Sequence, residues 1–127
     1  MTPHRATILV IDDDPTIRLL LSAGLTRQGY RVVEAADGAS GLDAFRHNLP
    51  DLVLVDVCMP GMDGYSVVTA IRDMQAGAGL PVMMLTGSDD TATRRRCEQS
   101  GADDVATKPF QLLPLAEHLA ELLAAKP

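Results

Sequence analysis

Four stations along the chain carry side chains suited to chemistry on a phosphorus centre: Asp12-Asp13-Asp14, Asp56, Thr86 and Lys108, the last followed by Pro109. Three carboxylates in one pocket are costly, because like charges a few ångströms apart repel and raise each other's pKa. Two things relieve that repulsion. One is a hard divalent cation that takes oxygen ligands, for which Mg²⁺ is the natural guest. The other is a cation on the protein, and Lys108 is placed to supply it. With both present, one carboxylate stays ionised and acts as a nucleophile toward phosphorus. The same charges neutralise the equatorial oxygens of a phosphoryl group in transfer, and Thr86 offers a hydroxyl to that group once it is bound. The set reads as an aspartyl-phosphate site.

For these stations to meet, each must sit at the end of an element. Short apolar, β-branched runs recur at Thr7–Ile11, Arg31–Ala35, Asp51–Asp56, Pro81–Leu85 and Asp104–Thr107. Each is followed by a stretch of helical period, the signature of βα units on a parallel sheet. Three of the runs are apolar on both strand faces, as strands covered by helices above and below must be. The first helix has Asp14 as cap, Pro15 at its first position and Gly29 at its end. Its predicted inward stripe is Ile17, Leu20, Leu21, Gly24 and Leu25. Later helices are expected over about 38–47 (Leu42 and Phe45 inward), 65–75 (Val67, Val68 and Ile71), 89–99, and 113–125 (Leu115, Leu119, Leu122 and Leu123). Pro114 is tolerated in the first turn of the last. Ala76-Gly77-Ala78-Gly79 reads as a flexible connection.

Five strands alternating with five helices predict an α/β, three-layer, doubly wound (βα)5 fold. The flavodoxin-like sheet order 2-1-3-4-5 makes the first and third strands neighbours at the switch point, where ligands bind beyond the carboxyl ends of strands. Asp12, Asp13 and Asp56 then face one crevice.

The 127 residues suffice for one domain, 1–127, with its core over about 6–125. Apolar residues make up 46% and charged residues 22%, which excludes disordered and disulfide-dense classes. No apolar run is long enough to cross a bilayer and no signal-like start is seen, so a cytoplasmic location is expected. The net charge of −6 argues against direct nucleic-acid or membrane binding. Cys58 and Cys97 lack metal-site spacing and read as reduced thiols, Cys97 as a small buried hydrophobe. His4, His47 and His118 share no ligand spacing. Arg94-Arg95-Arg96 reads as an exposed helix face, and Met83-Met84 as core.

The segments ILVIDDDP (8–15), LVLVDVCMPGMDG (52–64), MLTG (84–87) and GADDVATKPF (101–110) together resemble the receiver domains of two-component response regulators, chemotaxis-regulator-like in extent. The resemblance covers about 8–123. It implies a phosphorelay switch rather than an enzyme, one that assists its own phosphorylation and dephosphorylation. Asp56 would be the phosphoacceptor, fed by a phosphohistidine on a sensor histidine kinase. Asp12, Asp13, Asp56 and the backbone carbonyl of Cys58 would hold Mg²⁺. Thr86 would be the switch hydroxyl, Lys108 the phosphate partner, and Lys108–Pro109 a cis peptide. The face formed by the fourth helix, fifth strand and fifth helix would meet an output domain or partner protein, and a homodimer is compatible with it.

One position departs from the family. The family usually has Tyr or Phe three residues before the lysine, and this chain has Val105. A valine cannot swing a ring, so a weaker or differently routed coupling from Thr86 is expected. Two rival classes fit the sequence less well. A small aspartyl-phosphate phosphatase usually carries a second acid two residues after its nucleophile, where this chain has Cys58. A flavin carrier would need a hydroxyl-rich loop where Asp12-Asp13-Asp14 stands.

Overall fold

The computed structural model describes residues 5–125, and His4 lies outside them. Its elements are β1 (Thr7–Ile11), α1 (Pro15–Arg27), β2 (Arg31–Ala35), α2 (Gly38–Asn48), β3 (Leu52–Asp56), α3 (Gly64–Asp73), β4 (Val82–Thr86), α4 (Thr91–Ser100), β5 (Asp104–Thr107) and α5 (Leu112–Ala125). A single 3-10 turn, Gln75–Gly77, lies between α3 and β4. The five strands form one parallel sheet in the order β2-β1-β3-β4-β5, as the alternation predicts.

Both faces of the sheet are covered, which is why β1, β3 and β4 are apolar at almost every position and fully buried. Alternate residues go to opposite layers. Leu9, Ile11, Val53, Val55 and Met84 pack with Phe45 of α2, Val67 and Ile71 of α3, and Cys97 of α4. Ile8, Val10, Leu52, Leu54, Met83 and Leu85 pack with Leu21 and Leu25 of α1 and with Leu115 and Leu119 of α5. Met83 and Met84, adjacent in sequence, therefore lie in different cores.

Four of the chain's 17 acidic residues are helix caps. Asp14, Asp37, Asp63 and Asp90 precede α1 to α4 in extended backbone, and each accepts a hydrogen bond from a first-turn N–H. Such caps satisfy amides that have no partner inside the helix and favour the positive end of its dipole. Gly29, at φ +97°, takes the left-handed turn that follows α1.

Three expectations need correction. Leu20 is 45% exposed: the buried stripe of α1 is Leu21, Gly24 and Leu25, and Gly24 leaves room for Leu112 at the start of α5, where an added Cβ would collide with that side chain. The stretch Ala76–Gly79 is not a loose connection. Gly77 is buried, and Arg72 donates to the carbonyls of Gly77 (2.9 Å) and Leu80 (2.6 Å). Element ends also move by a residue or two. The helix expected over 65–75 stops at Asp73, and the fourth strand runs Val82–Thr86.

The register sets up the site. Ile11 lies opposite Val55, Asp56 opposite Leu85, and Thr86 opposite Thr107. The residues at or just past the carboxyl ends of β1, β3, β4 and β5 therefore stand side by side at one edge.

Candidate functional site

Asp12, immediately after β1, is completely buried, and each of its polar groups has a partner. Its N–H donates to the Ala35 carbonyl at 3.1 Å. Its Oδ1 accepts from the Asp14 N–H at 2.9 Å, and its Oδ2 from Lys108 Nζ at 2.9 Å. Its carbonyl accepts from Arg18 Nη1 at 2.7 Å. A buried carboxylate is tolerable only when so satisfied.

Asp56 closes β3 and is also buried. Lys108 Nζ stands 3.4 Å from its Oδ1. Burial and the neighbouring Asp12 charge push the Asp56 carboxyl up to about 6, and Lys108 and the Cys58 N–H oppose this without cancelling it. For Lys108 itself, burial works against the charge. The hydrogen bond to Asp12 and the charges of Asp56 and Asp12 outweigh it, so the ammonium is held above the ordinary lysine value.

Asp13 is exposed at the mouth of the crevice. Carboxylate oxygens of Asp12, Asp13 and Asp56 all fall within 4.8 Å of one another. Three hard oxygen donors, one open to solvent, suit a hydrated divalent cation that keeps several waters, as Mg²⁺ does. A single lysine facing two buried acids leaves negative charge to be neutralised, so the residues fit such an ion.

Thr86, the last residue of β4, is buried, and its Oγ1 accepts from the Ser88 N–H at 3.1 Å. Lys108 is tied to the same strand end by its own N–H, which donates to the Thr86 carbonyl at 2.7 Å, and the Lys108–Pro109 peptide is cis. Cys58 lies exposed on the rim, two residues past Asp56. Asp14 acts as the α1 cap, its Oδ1 accepting from the Thr16 N–H, and takes no part in the acidic cluster. Val105 is half-buried on β5 and borders a groove of about 440 Å³ with Arg94, Glu98 and Asp103. Among the described residues, neither His47 nor His118 lies at this site: His47 faces Asp43 on α2, and His118 pairs with Asp104 on the α5–β5 face.

Several residues of consequence carry no motif. Arg18 grips the Asp12 carbonyl and lies 3.6 Å from Glu34 on β2. Arg96 of α4 stacks over the ring of Tyr65 at the start of α3, 4.2 Å from its centroid. Both line a cavity of about 670 Å³ that also touches Cys58 and Thr86. The Asp12–Lys108 pair spans 96 positions and was legible because both residues follow strands. Arg18 and Arg96 reach residues on other elements, and only the fold brings them to their partners.

The family model for the response regulator receiver domain matches residues 8–120. The transcriptional regulatory protein AfsQ1 of Streptomyces coelicolor is 43% identical over 105 residues, which is 83% of this chain and 45% of that protein. The DNA-binding response regulator MtrA of Mycolicibacterium smegmatis is 40% identical over 111 residues, 87% of this chain and 47% of that protein. This chain thus spans about half the length of those relatives. Among solved structures, chemotaxis protein CheY4 of Vibrio cholerae superposes with a TM-score of 0.89 at 32% identity, over 92% of this chain and 98% of that one. The receiver domain of sensor histidine kinase PA1611 from Pseudomonas aeruginosa superposes with a TM-score of 0.88 at 31% identity, over 94% and 98%. A magnesium ion is coordinated in that domain's active site cleft.

Proposed function

Since the chain belongs to the response regulator receiver domains of two-component systems, we propose that it is a phosphorelay switch whose phosphoacceptor is Asp56. The observation that carries this reading is the buried Asp12–Lys108–Asp56 arrangement beside Asp13. It supplies a nucleophile, a cation and an acidic seat at one strand edge.

In the reaction, an ionised Asp56 oxygen attacks the phosphorus of a phosphohistidine on a sensor histidine kinase. The new P–O bond forms as the P–N bond breaks, and the imidazole leaves. Asp12, Asp13, Asp56 and the backbone carbonyl of Cys58 would hold Mg²⁺, which when bound neutralises charge on the carboxylates and on the phosphoryl oxygens. Lys108, already between the two buried acids, exchanges its Asp56 contact for a phosphoryl oxygen. Thr86 uses its Oγ1 only as an acceptor toward Ser88, so its hydroxyl hydrogen remains to be donated to the phosphoryl group. By orienting these groups the domain assists its own phosphorylation and its later hydrolysis. It does not turn over a substrate as an enzyme does.

The energetic role of the modification is to bias a two-state equilibrium. The displaced surface is the face of α4, β5 and α5, which would meet an output domain, a partner protein or a second copy. No described helix is long and apolar enough to cross a membrane. A cytoplasmic setting, with no direct nucleic-acid contact by this domain, suits its charge of −6.

The test is incubation with Mg²⁺ and a small phosphoryl donor. One base-labile phosphoryl group per chain, absent in Asp56→Asn, supports the reading. Continuous donor turnover at enzyme-like rates, or unchanged labelling of Asp56→Asn, contradicts it.

A further inference from the structure

We propose that Arg18 is a positioning residue for the acidic cluster: by holding the Asp12 carbonyl it sets the direction in which the Asp13 carboxylate points, and so the affinity of the site for Mg²⁺. This rests on the reading of the cluster as a Mg²⁺ seat.

The four polar groups of Asp12 are engaged by Ala35, Asp14, Lys108 and Arg18. Asp13 is different. It is exposed, and among the described residues its carboxylate has neither a hydrogen bond nor an ion pair. What orients Asp13 is its two flanking peptides, the one after it held by the Asp14 N–H on Asp12 Oδ1 and the one before it by Arg18. The preceding peptide is planar, so fixing the Asp12 carbonyl also fixes the Asp13 N–H and the entry to its Cα. The Arg18 Nη1 contact to that carbonyl is short, at 2.7 Å.

The guanidinium is itself held. Arg18 lies in the first turns of α1, its side chain is 21% exposed, and its Nε faces Glu34 Oε1 at 3.6 Å. Glu34 lies on β2 opposite Val10 in the register. The helix that follows the acidic turn thus reaches back across β1 to β2, with the Asp12 carbonyl held at Nη1 and Glu34 at Nε. A planar multi-donor head serves this geometry better than a lysine ammonium.

Charge and geometry predict opposite results, which makes the proposal decidable. If Arg18 acted only through its charge, neutralising it would strengthen Mg²⁺ binding, since one cation near the cluster would be gone. If it acts by positioning, Arg18→Gln weakens binding. Partners of this second kind are commonly worth 10–100-fold in metal affinity, and for a site with a single affected ligand the expected loss is about tenfold.

The experiment titrates Mg²⁺ alone into wild type, Arg18→Gln, Arg18→Lys and Glu34→Gln by calorimetry, with thermal melts in chelator to show that each variant folds. Phosphorylation by a small donor is then followed against Mg²⁺ concentration. The expected result is weaker Mg²⁺ binding in Arg18→Gln, partial recovery in Arg18→Lys, and a half-saturating Mg²⁺ that rises while the rate at saturation stays close to wild type. Unchanged or tighter Mg²⁺ binding in a folded Arg18→Gln overturns the proposal, as does an equal loss of rate at saturating Mg²⁺. Wild-type protein that fails to bind Mg²⁺ would instead overturn the reading of the cluster on which the proposal stands.

Discussion

The two sides of the sheet are built to different standards. On one side β1 and β3 are buried along their whole length and carry Asp12 and Asp56 at their ends. On the other, all four residues of β5 are only half-buried, and α4 offers a single buried side chain, Cys97. Three consecutive arginines of α4 face solvent. The two buried acids sit where packing is dense, Lys108 reaches them from the end of β5, and the elements proposed to respond come from the loosely packed side. Low local stability is what allows an element to move at small cost. On the proposed function, that difference lets one scaffold both fix a site and report on it.

The largest consequence concerns Lys108. Lys108→Met leaves Asp12 and Asp56 buried without their cation, and removing one member of a buried pair costs about 3–5 kcal/mol. Urea unfolding at pH 7 without metal should show that loss. Donor-driven phosphorylation should fall about a hundredfold, the usual cost of removing one fixed electrostatic contact to a transition state.

Core truncation tests the packing difference itself. Leu54→Ala, in the centre of β3, should cost about 2–5 kcal/mol, whereas Arg95→Ala on α4 should stay within about 0.5 kcal/mol. Similar costs at the two positions would show that the sides do not differ as described.

The pH dependence follows from Asp56. Its folded value of about 6 lies above the ordinary carboxyl value near 3.8, so between these limits the folded state binds more protons than the unfolded one. Stability without metal should therefore be highest at the acid end of that window. It should fall by roughly 3 kcal/mol as pH rises through 6, the worth of about two pKa units. The exposed caps Asp37 and Asp90 are held below the ordinary value by hydrogen bonds to Ser40 and Ser88 respectively. Their contribution is present above about 3.8 and is lost only at lower pH. Asp56→Asn should flatten the slope between pH 4 and 6, and an unaltered slope would place the responsible group elsewhere.

How much of this was legible in the sequence depended on the kind of contact. The strands, their order and the acids at their ends follow from local periodicity together with one topological rule, so Asp12, Asp13, Asp56, Thr86 and Lys108 were all visible. Contacts from long side chains to distant carbonyls have no period. Arg72 donates to the carbonyls of Gly101, Gly77 and Leu80 and to the Asp103 carboxylate, fastening the carboxyl end of α4 to α3 and β4. Nothing in the spelling of 76–79 distinguishes that pinned turn from a loose loop. Leu20 was misplaced for a related reason: a helix of the right period does not declare how narrow a stripe its neighbours will cover. The ring absent at Val105 was plain from the sequence, but the Tyr65–Arg96 stack between α3 and α4 was not.

Smaller effects concern the two attachments of α4, at its carboxyl end and its middle. Arg72→Ala leaves buried carbonyls without donors and should cost about 2 kcal/mol, seen as a lower urea midpoint. Arg96→Ala removes an exposed cation–π contact worth about 0.5–1 kcal/mol. Its main readout should be faster amide exchange in the middle of α4 with little change in the melt.

The most direct measurement is amide hydrogen exchange of the intact chain with Mg²⁺, before and after phosphorylation with donor kept in excess. The account predicts altered protection confined to Gly87–Ser100, Asp104–Thr107 and Leu112–Ala125, with Thr7–Ile11 and Leu52–Val55 unchanged. Equal changes in β1 and β3, or no change in α4 and β5, would contradict it.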